Sequence, residues 1–152
     1  MKIVEIINPA EKRRIAADVL ADLPEWFGIP ESAASYVNES AELSFFAANI
    51  NEEYVGFITL KETSPATAEL CVMGVKKAHH RRGAGKALVA AFFRKARKLG
   101  YQYAQVKTLA AGTCQEYDHT RMFYEHMGFL PLEVFPTLWD ESNPCLIMVM
   151  KL

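Results

Sequence analysis

The stretch His80-Arg81-Arg82-Gly83-Ala84-Gly85-Lys86-Ala87, the glycine loop, decides the fold of this chain, because it joins a strand-like segment to a long helix-like one. A helix N-terminus exposes unpaired backbone N–H groups and a partial positive charge. Glycines at such a point let a pyrophosphate approach the backbone without a Cβ in the way. The glycine loop is therefore suited to binding phosphate groups.

The two commonest phosphate-binding motifs do not match the glycine loop. A Rossmann fingerprint requires a glycine where this chain has Leu88, and a P-loop requires a glycine at His80 and a hydroxyl residue at Ala87. An isolated pair of glycines more often shapes only a turn between a strand and a helix, with the neighbouring arginines solvated. The motif alone therefore leaves both interpretations open.

Outward from the loop, the chain alternates between strand-like and helix-like segments. Strands are predicted at residues 2–7, 43–48, 54–63, 68–75, 103–109, 129–135 and 145–152. Helices are predicted from Asn8-Pro9 to just before Pro24, and at residues 31–39, 83–99 and 120–127. This order predicts a single α+β domain over residues 1–152, with helices packed on one central sheet.

A second motif favours one interpretation of the glycine loop. Residues 80–85 resemble the Q/R-x-x-G-x-G/A signature of GNAT acetyltransferases, with histidine at the first position. The segment Phe123-Tyr124-Glu125-His126-Met127-Gly128-Phe129 is similar to the F-Y-x-x-x-G-F segment of the same family. The resemblance implies the GNAT fold, a mostly antiparallel seven-stranded sheet flanked by about four helices, and an N-acetyltransferase that uses acetyl-coenzyme A.

The resemblance also assigns coenzyme contacts. The backbone N–H groups from Arg82 to Ala87 would bind the pyrophosphate, and the arm of the coenzyme would pair with the main chain of Met73 and Val75 before wedging between strands 68–75 and 103–109. The side chains of the loop would add positive charge. The implied coenzyme-binding residues are Met73, Val75, His80, Arg81, Arg82, Gly83, Ala84, Gly85, Lys86 and Ala87.

Acetyl transfer to an amine requires a neutral amine, a stabilised oxyanion and a proton for the departing thiolate. By the resemblance, Tyr124 would protonate the leaving sulfur, as against a tyrosine that only packs. Glu69 stands where a water-mediated base occurs in the histone acetyltransferase branch, although a glutamate at the start of a strand is often only solvated. The oxyanion donor is expected to be a backbone N–H near Met73 to Val75.

Recognition of the acceptor is expected from the parts of the chain outside the two motifs. By the resemblance, Tyr117 occupies a position where many relatives have an asparagine that touches the coenzyme arm, so this region departs from the family pattern. Asp140 and Glu141 would suit a cationic acceptor, although two acids in a loop also make an ordinary solvated turn. The candidates for the pocket wall are Trp26, Phe27, Tyr36, Trp139, Asp140 and Glu141.

Composition narrows the class of protein further. The formal net charge is −1, which lacks the positive excess of a non-specific nucleic-acid binder. Three cysteines without paired spacing and four histidines predict neither a disulfide framework nor a metal site. No segment has the form of a signal peptide or a membrane span, so we expect a cytoplasmic protein without a membrane partner.

Two other functions remain open at this point. A catalytically silent module that senses acetyl-coenzyme A would keep the glycine loop, and Tyr124 argues against it. A nucleic-acid binder would use the basic residues from Lys76 to Lys86, without the overall basicity that such binding needs. Within the enzyme interpretation, a small-molecule amine is favoured over a protein lysine or N-terminus, and a homodimer is expected.

Overall fold

The computed structural model describes residues 1–152 and confirms the predicted mixed α/β layout of seven strands and four helices. In chain order the elements are β1 (Lys2–Glu5), α1 (Pro9–Ala21), α2 (Pro30–Ser40), β2 (Ser44–Ile50), β3 (Glu53–Ser64), β4 (Thr67–Val75), a 3-10 turn (Lys77–His79), α3 (Ala84–Lys98), β5 (Tyr103–Leu109), α4 (Gln115–His126), β6 (Leu130–Asp140) and β7 (Asn143–Lys151). The sheet order is β1-β2-β3-β4-β5-β7-β6. None of the helices is long and apolar enough to cross a membrane.

The start of α1 follows the local rules. The side chain of Asn8 accepts a hydrogen bond from the Glu11 N–H at 3.0 Å, and Pro9 occupies the first turn, where its missing N–H costs nothing. The start of α4 departs from the prediction, because the helix begins at Gln115 rather than at Thr120. Its N-cap is Cys114, whose side chain makes no capping bond, so no capping signal marked this start.

The end of β6 was also predicted wrongly. The strand was predicted to end at Phe135, next to Pro136, whereas β6 continues to Asp140 and β7 begins at Asn143. Proline is tolerated there because β6 is the last strand of the sheet order and needs no donor on its outer side. The pairing of β6 with β7 is irregular between Phe135 and Asp140, as expected for a strand that contains proline.

By its internal contacts the chain divides into two compact units, the first of which comprises Met1–Lys61 and Leu70–Lys95. Its core forms where the apolar stripe of α1 meets β2 and β3, with Phe45 and Phe57 stacked at a centroid separation of 5.1 Å. Gly74 of β4 is needed here, because a Cβ at that position would lie 2.9 Å from Leu23 Cδ1 and 3.1 Å from Val19 Cγ1. The C-terminal half of α1 is thus packed directly onto β4.

The second unit comprises Glu62–Glu69 and Ala96–Leu152. Its β5 and β7 pair in an uninterrupted antiparallel register from Tyr103↔Lys151 to Leu109↔Cys145. Phe129 and Met148 are buried at its centre, and Tyr124 of α4 packs against Phe129 with ring centroids 5.9 Å apart. The second sequence motif, residues 123–129, therefore lies in a packed part of this unit.

Lys12 of α1 is a buried lysine that the sequence did not reveal. Only 8% of the residue is exposed, and its ammonium group donates to the carbonyl oxygens of Leu43, at 2.6 Å, and Ala41, at 3.5 Å. Ala41 is the C-cap of α2, where carbonyl groups lack helical partners and the helix dipole favours a cation. Lys12 therefore ties the end of α2 to α1.

We expect Lys12→Met to lower the free energy of unfolding by about 1–3 kcal/mol, because it leaves two carbonyl groups without their donor. Arg13→Met is the matched control, since Arg13 is an exposed neighbour on the same helix and should cost less than about 0.5 kcal/mol. Urea unfolding monitored by circular dichroism measures both values. Equal stability of the two variants would contradict the assigned role of Lys12.

Candidate functional site

The predicted turn from β4 into α3 is present in the first unit. The first bond of the α3 ladder is donated by the Ala87 N–H to the Gly83 carbonyl at 3.0 Å. The N–H groups of Ala84, Gly85 and Lys86 precede it and therefore have no acceptor within the helix. Gly83 has φ +86°, and a Cβ at this position would have no atom within 4 Å, so the backbone is unobstructed at Gly83 itself.

Basic side chains flank the start of α3. Arg81, Arg82 and Lys86 are exposed, and none of them forms an ion pair with an acidic side chain. Arg81 has φ +59°, a left-handed conformation that is unusual for a residue with a side chain. Three unneutralised cations beside a bare helix N-terminus concentrate positive charge locally in a chain whose net charge is −1.

Residues 76–83, the β4–α3 connection, are held by acidic groups of α1, of the segment that follows α1, and of β3. Lys76 Nζ lies 2.7 Å from Asp18 Oδ2 and 3.0 Å from Glu53 Oε1, and the hydrogen bond to Asp18 raises the lysine pKa. Lys77 donates its backbone N–H to Asp22 Oδ2 at 2.7 Å. Every one of these contacts lies within the first unit.

His80, predicted among the coenzyme contacts, has its ring directed at the protein itself. Its Nε2 is within hydrogen-bonding distance of the Val75 carbonyl oxygen, so this nitrogen carries the proton. The ring also packs edge to face with Trp26, with centroids 5.8 Å apart. Val75 and Met73 are half-buried on β4, on the face opposite to buried Val72 and Gly74.

Tyr124, the predicted proton donor, lies in the second unit on α4 and is 6% exposed. It is positioned by Phe123 and Phe129, whose ring centroids lie 5.8 and 5.9 Å from its own. The first turn of α4 is fixed by Asp118, which accepts from Arg121 at 3.0 Å and from the Gly112 N–H at 3.2 Å. These two donors, Arg121 first, lower the pKa of Asp118.

Glu69, the predicted base, is a buried carboxylate at 6% exposure in the second unit. Its Oε1 accepts from Gln105 Nε2 at 2.8 Å and lies 3.3 Å from Lys107 Nζ. A buried carboxylate requires such partners, because desolvation disfavours its charged form. Cys145 lies in the same cluster, where burial raises the pKa of its thiol and the nearby Lys107 opposes that effect.

Gln105 and Lys107 were not predicted from the sequence as partners of Glu69. The signal was present, because both residues alternate in β5 with buried Ala104, Val106 and Thr108 and so share one face of the strand. Their partner Glu69 is 36 positions away from Gln105, and only the sheet brings them together.

The acceptor candidates fall into two groups. In the first unit, Trp26, Phe27 and Tyr36 pack against the α1 core, with Phe27 and Tyr36 edge to face at 6.0 Å. In the second unit, the Asp140 carboxylate accepts from the Ser142 N–H at 2.9 Å and from the Asn143 side chain, as in an ordinary turn.

The remaining candidates also lie in the second unit. Tyr117 is half-buried on α4, whereas Trp139 and Glu141 are exposed at the β6 end. No group of three or more His, Cys, Asp or Glu side chains is placed to hold a metal ion.

Comparison with known proteins gives a consistent result. The family model described as "Acetyltransferase (GNAT) family" matches residues 12–129. The chain is 28% identical over 102 residues to the uncharacterized N-acetyltransferase YsnE of Bacillus subtilis (strain 168), a match that covers 67% of this chain and 66% of YsnE. The chain thus spans slightly less than two thirds of that curated relative.

Solved structures show the same fold. A GNAT-family acetyltransferase structure from Desulfovibrio desulfuricans superposes with a TM-score of 0.83 at 19% identity, covering 99% of this chain and 98% of that one. An aminoglycoside 6'-N-acetyltransferase complexed with coenzyme A superposes with a TM-score of 0.77 at 23% identity, covering 99% and 97%. At these identities the likeness concerns the fold.

Proposed function

The chain belongs to the GNAT family of acetyltransferases, and on that premise we propose that it transfers the acetyl group of acetyl-coenzyme A directly to a primary amine of a small molecule. The observation that carries the proposal is the open row of N–H donors at the start of α3, flanked by three unpaired cations. A pyrophosphate is the anion that such a row accommodates. A protein of similar fold has been solved in complex with coenzyme A, which supports acetyl-coenzyme A as the acetyl donor.

In this proposal the coenzyme pyrophosphate binds the backbone N–H groups from Arg82 to Ala87, with charge from Arg81, Arg82 and Lys86. The arm of the coenzyme pairs with the main chain of Met73 and Val75, and a nearby backbone N–H stabilises the oxyanion. His80 contributes by holding the Val75 carbonyl rather than by touching phosphate. These residues supply binding and orientation for the thioester.

The chemical roles are divided between two side chains. The Tyr124 hydroxyl donates a proton to the departing thiolate, which avoids releasing a free anion. Glu69 accepts, through water, the proton that the acceptor ammonium must lose before it can attack. Both of its close partners contact Oε1, which supports Oε2 as the oxygen that receives the proton.

The proposed acceptor is a small-molecule amine. Structures of similar fold include an aminoglycoside acetyltransferase, whose named acceptor is a small-molecule amine. We propose that residues 1–152 act as a single N-acetyltransferase domain. The chain forms no disulfide bond, and we propose a cytoplasmic location.

We further propose that two copies of the chain associate through β6. This strand ends the sheet order and exposes Leu130, Leu132, Val134, Leu138 and Trp139, each between 44% and 68%. An apolar edge of this kind is normally covered in a soluble protein. Pro131 and Pro136 lack N–H groups, so we expect the copies to meet through side chains rather than through a continued sheet.

The central experiment is a thermal shift of the purified chain with acetyl-coenzyme A, followed by an amine panel assayed for thiol release. At a coenzyme concentration of about 100 times Kd, the stabilisation should be about 2.7 kcal/mol. Thiol release with an amine identifies the acceptor class. A shift without thiol release for any amine favours a sensor, and the absence of a shift contradicts the proposal.

We expect Gly83→Val to weaken coenzyme A binding at least tenfold, because a β-branched side chain in this turn hinders the close approach of a pyrophosphate to the backbone. Gly100→Val is the matched control, since Gly100 also has positive φ, +87°, and open space. Both variants should pay about 1–2 kcal/mol of backbone strain, which separates stability from binding. Equal coenzyme affinity in the two variants would argue against the loop as the phosphate site.

We expect Tyr124→Phe to lower kcat by about 100-fold or more while the coenzyme Kd stays unchanged, as for a group that acts in the transition state. Tyr103→Phe, at an exposed tyrosine of β5, should leave both values unchanged. Steady-state kinetics and a coenzyme titration provide the two measurements. Unaltered turnover in Tyr124→Phe would remove this residue from the mechanism.

We expect light scattering to give twice the chain mass of 17.1 kDa for the wild type and a single chain for Leu132→Asp. A charge at Leu132 would have to be buried in the proposed contact, which is unfavourable. Met122→Asp, at an equally exposed apolar position of α4, should remain a dimer. A monomeric wild type would refute the contact.

A further inference from the structure

We propose that residues 22–29, the α1–α2 connection, hold the β4–α3 connection in the conformation that binds the coenzyme, with Asp22, Glu25 and Trp26 as positioning residues. The inference rests on the proposed function for the identity of the ligand. It assigns to a segment outside both sequence motifs a part in coenzyme binding.

The backbone conformation of the β4–α3 connection requires support from other parts of the protein. Arg81 is left-handed with φ +59°, and Gly83 follows with φ +86°. A left-handed residue that carries a Cβ persists only when surrounding contacts determine its conformation. Within the connection, the His79 N–H bonds the Lys76 carbonyl and the His80 N–H bonds the Lys77 carbonyl, which forms one short turn. The remaining support comes from elsewhere in the first unit.

Three contacts from the α1–α2 connection provide support. The Asp22 carboxylate accepts the Lys77 N–H at 2.7 Å, which fixes the backbone at the first residue of the 3-10 turn. Glu25 Oε1 lies 2.9 Å from Lys77 Nζ, and this hydrogen bond lowers the pKa of Glu25 and raises that of Lys77. One lysine is thus held at both its backbone and its side chain.

The third contact reaches the residue next to Arg81. Trp26 packs edge to face against the His80 ring, with centroids 5.8 Å apart and planes at 80°. The same ring reaches the Val75 carbonyl through Nε2. His80 is therefore held between the end of β4 and Trp26, which sets the direction in which the chain enters Arg81.

The α1–α2 connection is itself fixed. Leu23 is 3% exposed and packs so closely on β4 that Gly74 has no space for a Cβ, since Leu23 Cδ1 would be 2.9 Å away. The N–H groups of Trp26 and Phe27 both bond the Leu23 carbonyl, at 3.1 and 3.0 Å. A loop that is already held rigidly loses less conformational entropy when the coenzyme binds, so the entropic cost of binding is lower.

The test is the Kd of coenzyme A, measured by titration calorimetry on full-length variants, so that no acceptor is needed. Asp22→Ala and Trp26→Ala should each weaken binding about tenfold. Glu25→Gln should weaken binding about two- to fivefold, as for an exposed ion pair. Asp22→Asn keeps an oxygen acceptor for the Lys77 N–H and should recover most of the affinity.

Glu31→Gln is the matched control, because Glu31 is an exposed acid of α2 without an ion pair. Hydrogen exchange of residues 76–83 gives a second readout. In Asp22→Ala without ligand these amides should exchange faster than in the wild type, and saturating coenzyme A should restore their protection.

Folded Asp22→Ala and Trp26→Ala variants that bind coenzyme A with wild-type affinity would overturn the inference. Slower exchange or unchanged exchange at residues 76–83 in Asp22→Ala would do the same. A wild type that does not bind coenzyme A would instead overturn the proposed function, so the two failures are distinguishable.

Discussion

The structure depends on one constraint, which is that the chain must leave β4 at Val75 and enter α3 at Ala84 while the first N–H groups of that helix stay open. A bare helix N-terminus is a partial positive charge, and placing arginine and lysine beside it is electrostatically unfavourable without an anion. The nearby acids do not neutralise these cations. Asp18, Asp22 and Glu25 contact Lys76 and Lys77 instead. Arg81, Arg82 and Lys86, which lie next to the open donors, thus have no acidic partner in the chain.

Local signals in the sequence were enough for most of the fold. The Asn8 cap, the proline after it and the glycines at the start of α3 each correspond to a backbone requirement, and the structure has a helix start at each. Prediction failed where the local signal was absent or misleading. Cys114 is a weak cap, so the start of α4 was placed too late. The end of β6 was placed too early, at Phe135, although an edge strand tolerates the proline that follows.

The two motifs of the candidate site could be found in the sequence, whereas the side chains that support them could not. The glycine loop and Tyr124 lie in short contiguous patterns that can be read directly. Gln105 and Lys107 meet Glu69 only through strand pairing, and Asp22 reaches the Lys77 N–H across 55 positions. The buried ammonium of Lys12 likewise depends on carbonyl groups 29 and 31 positions away. Hydrophobic periodicity carries no information on such pairs, because polar side chains select partners by geometry rather than by spacing in the chain.

The placement of the three cysteines has a consequence for oxidation. Coenzyme A is a thiol, and thiols exchange into disulfides through an accessible sulfur. Cys145 has no exposed surface, and burial raises its pKa, so it has neither the access nor the thiolate that mixed-disulfide formation requires. Cys71 and Cys114 are only half-buried. Under oxidising conditions, mixed-disulfide formation with a free thiol would therefore begin at β4 and at the start of α4, and the sheet around Cys145 would be modified last.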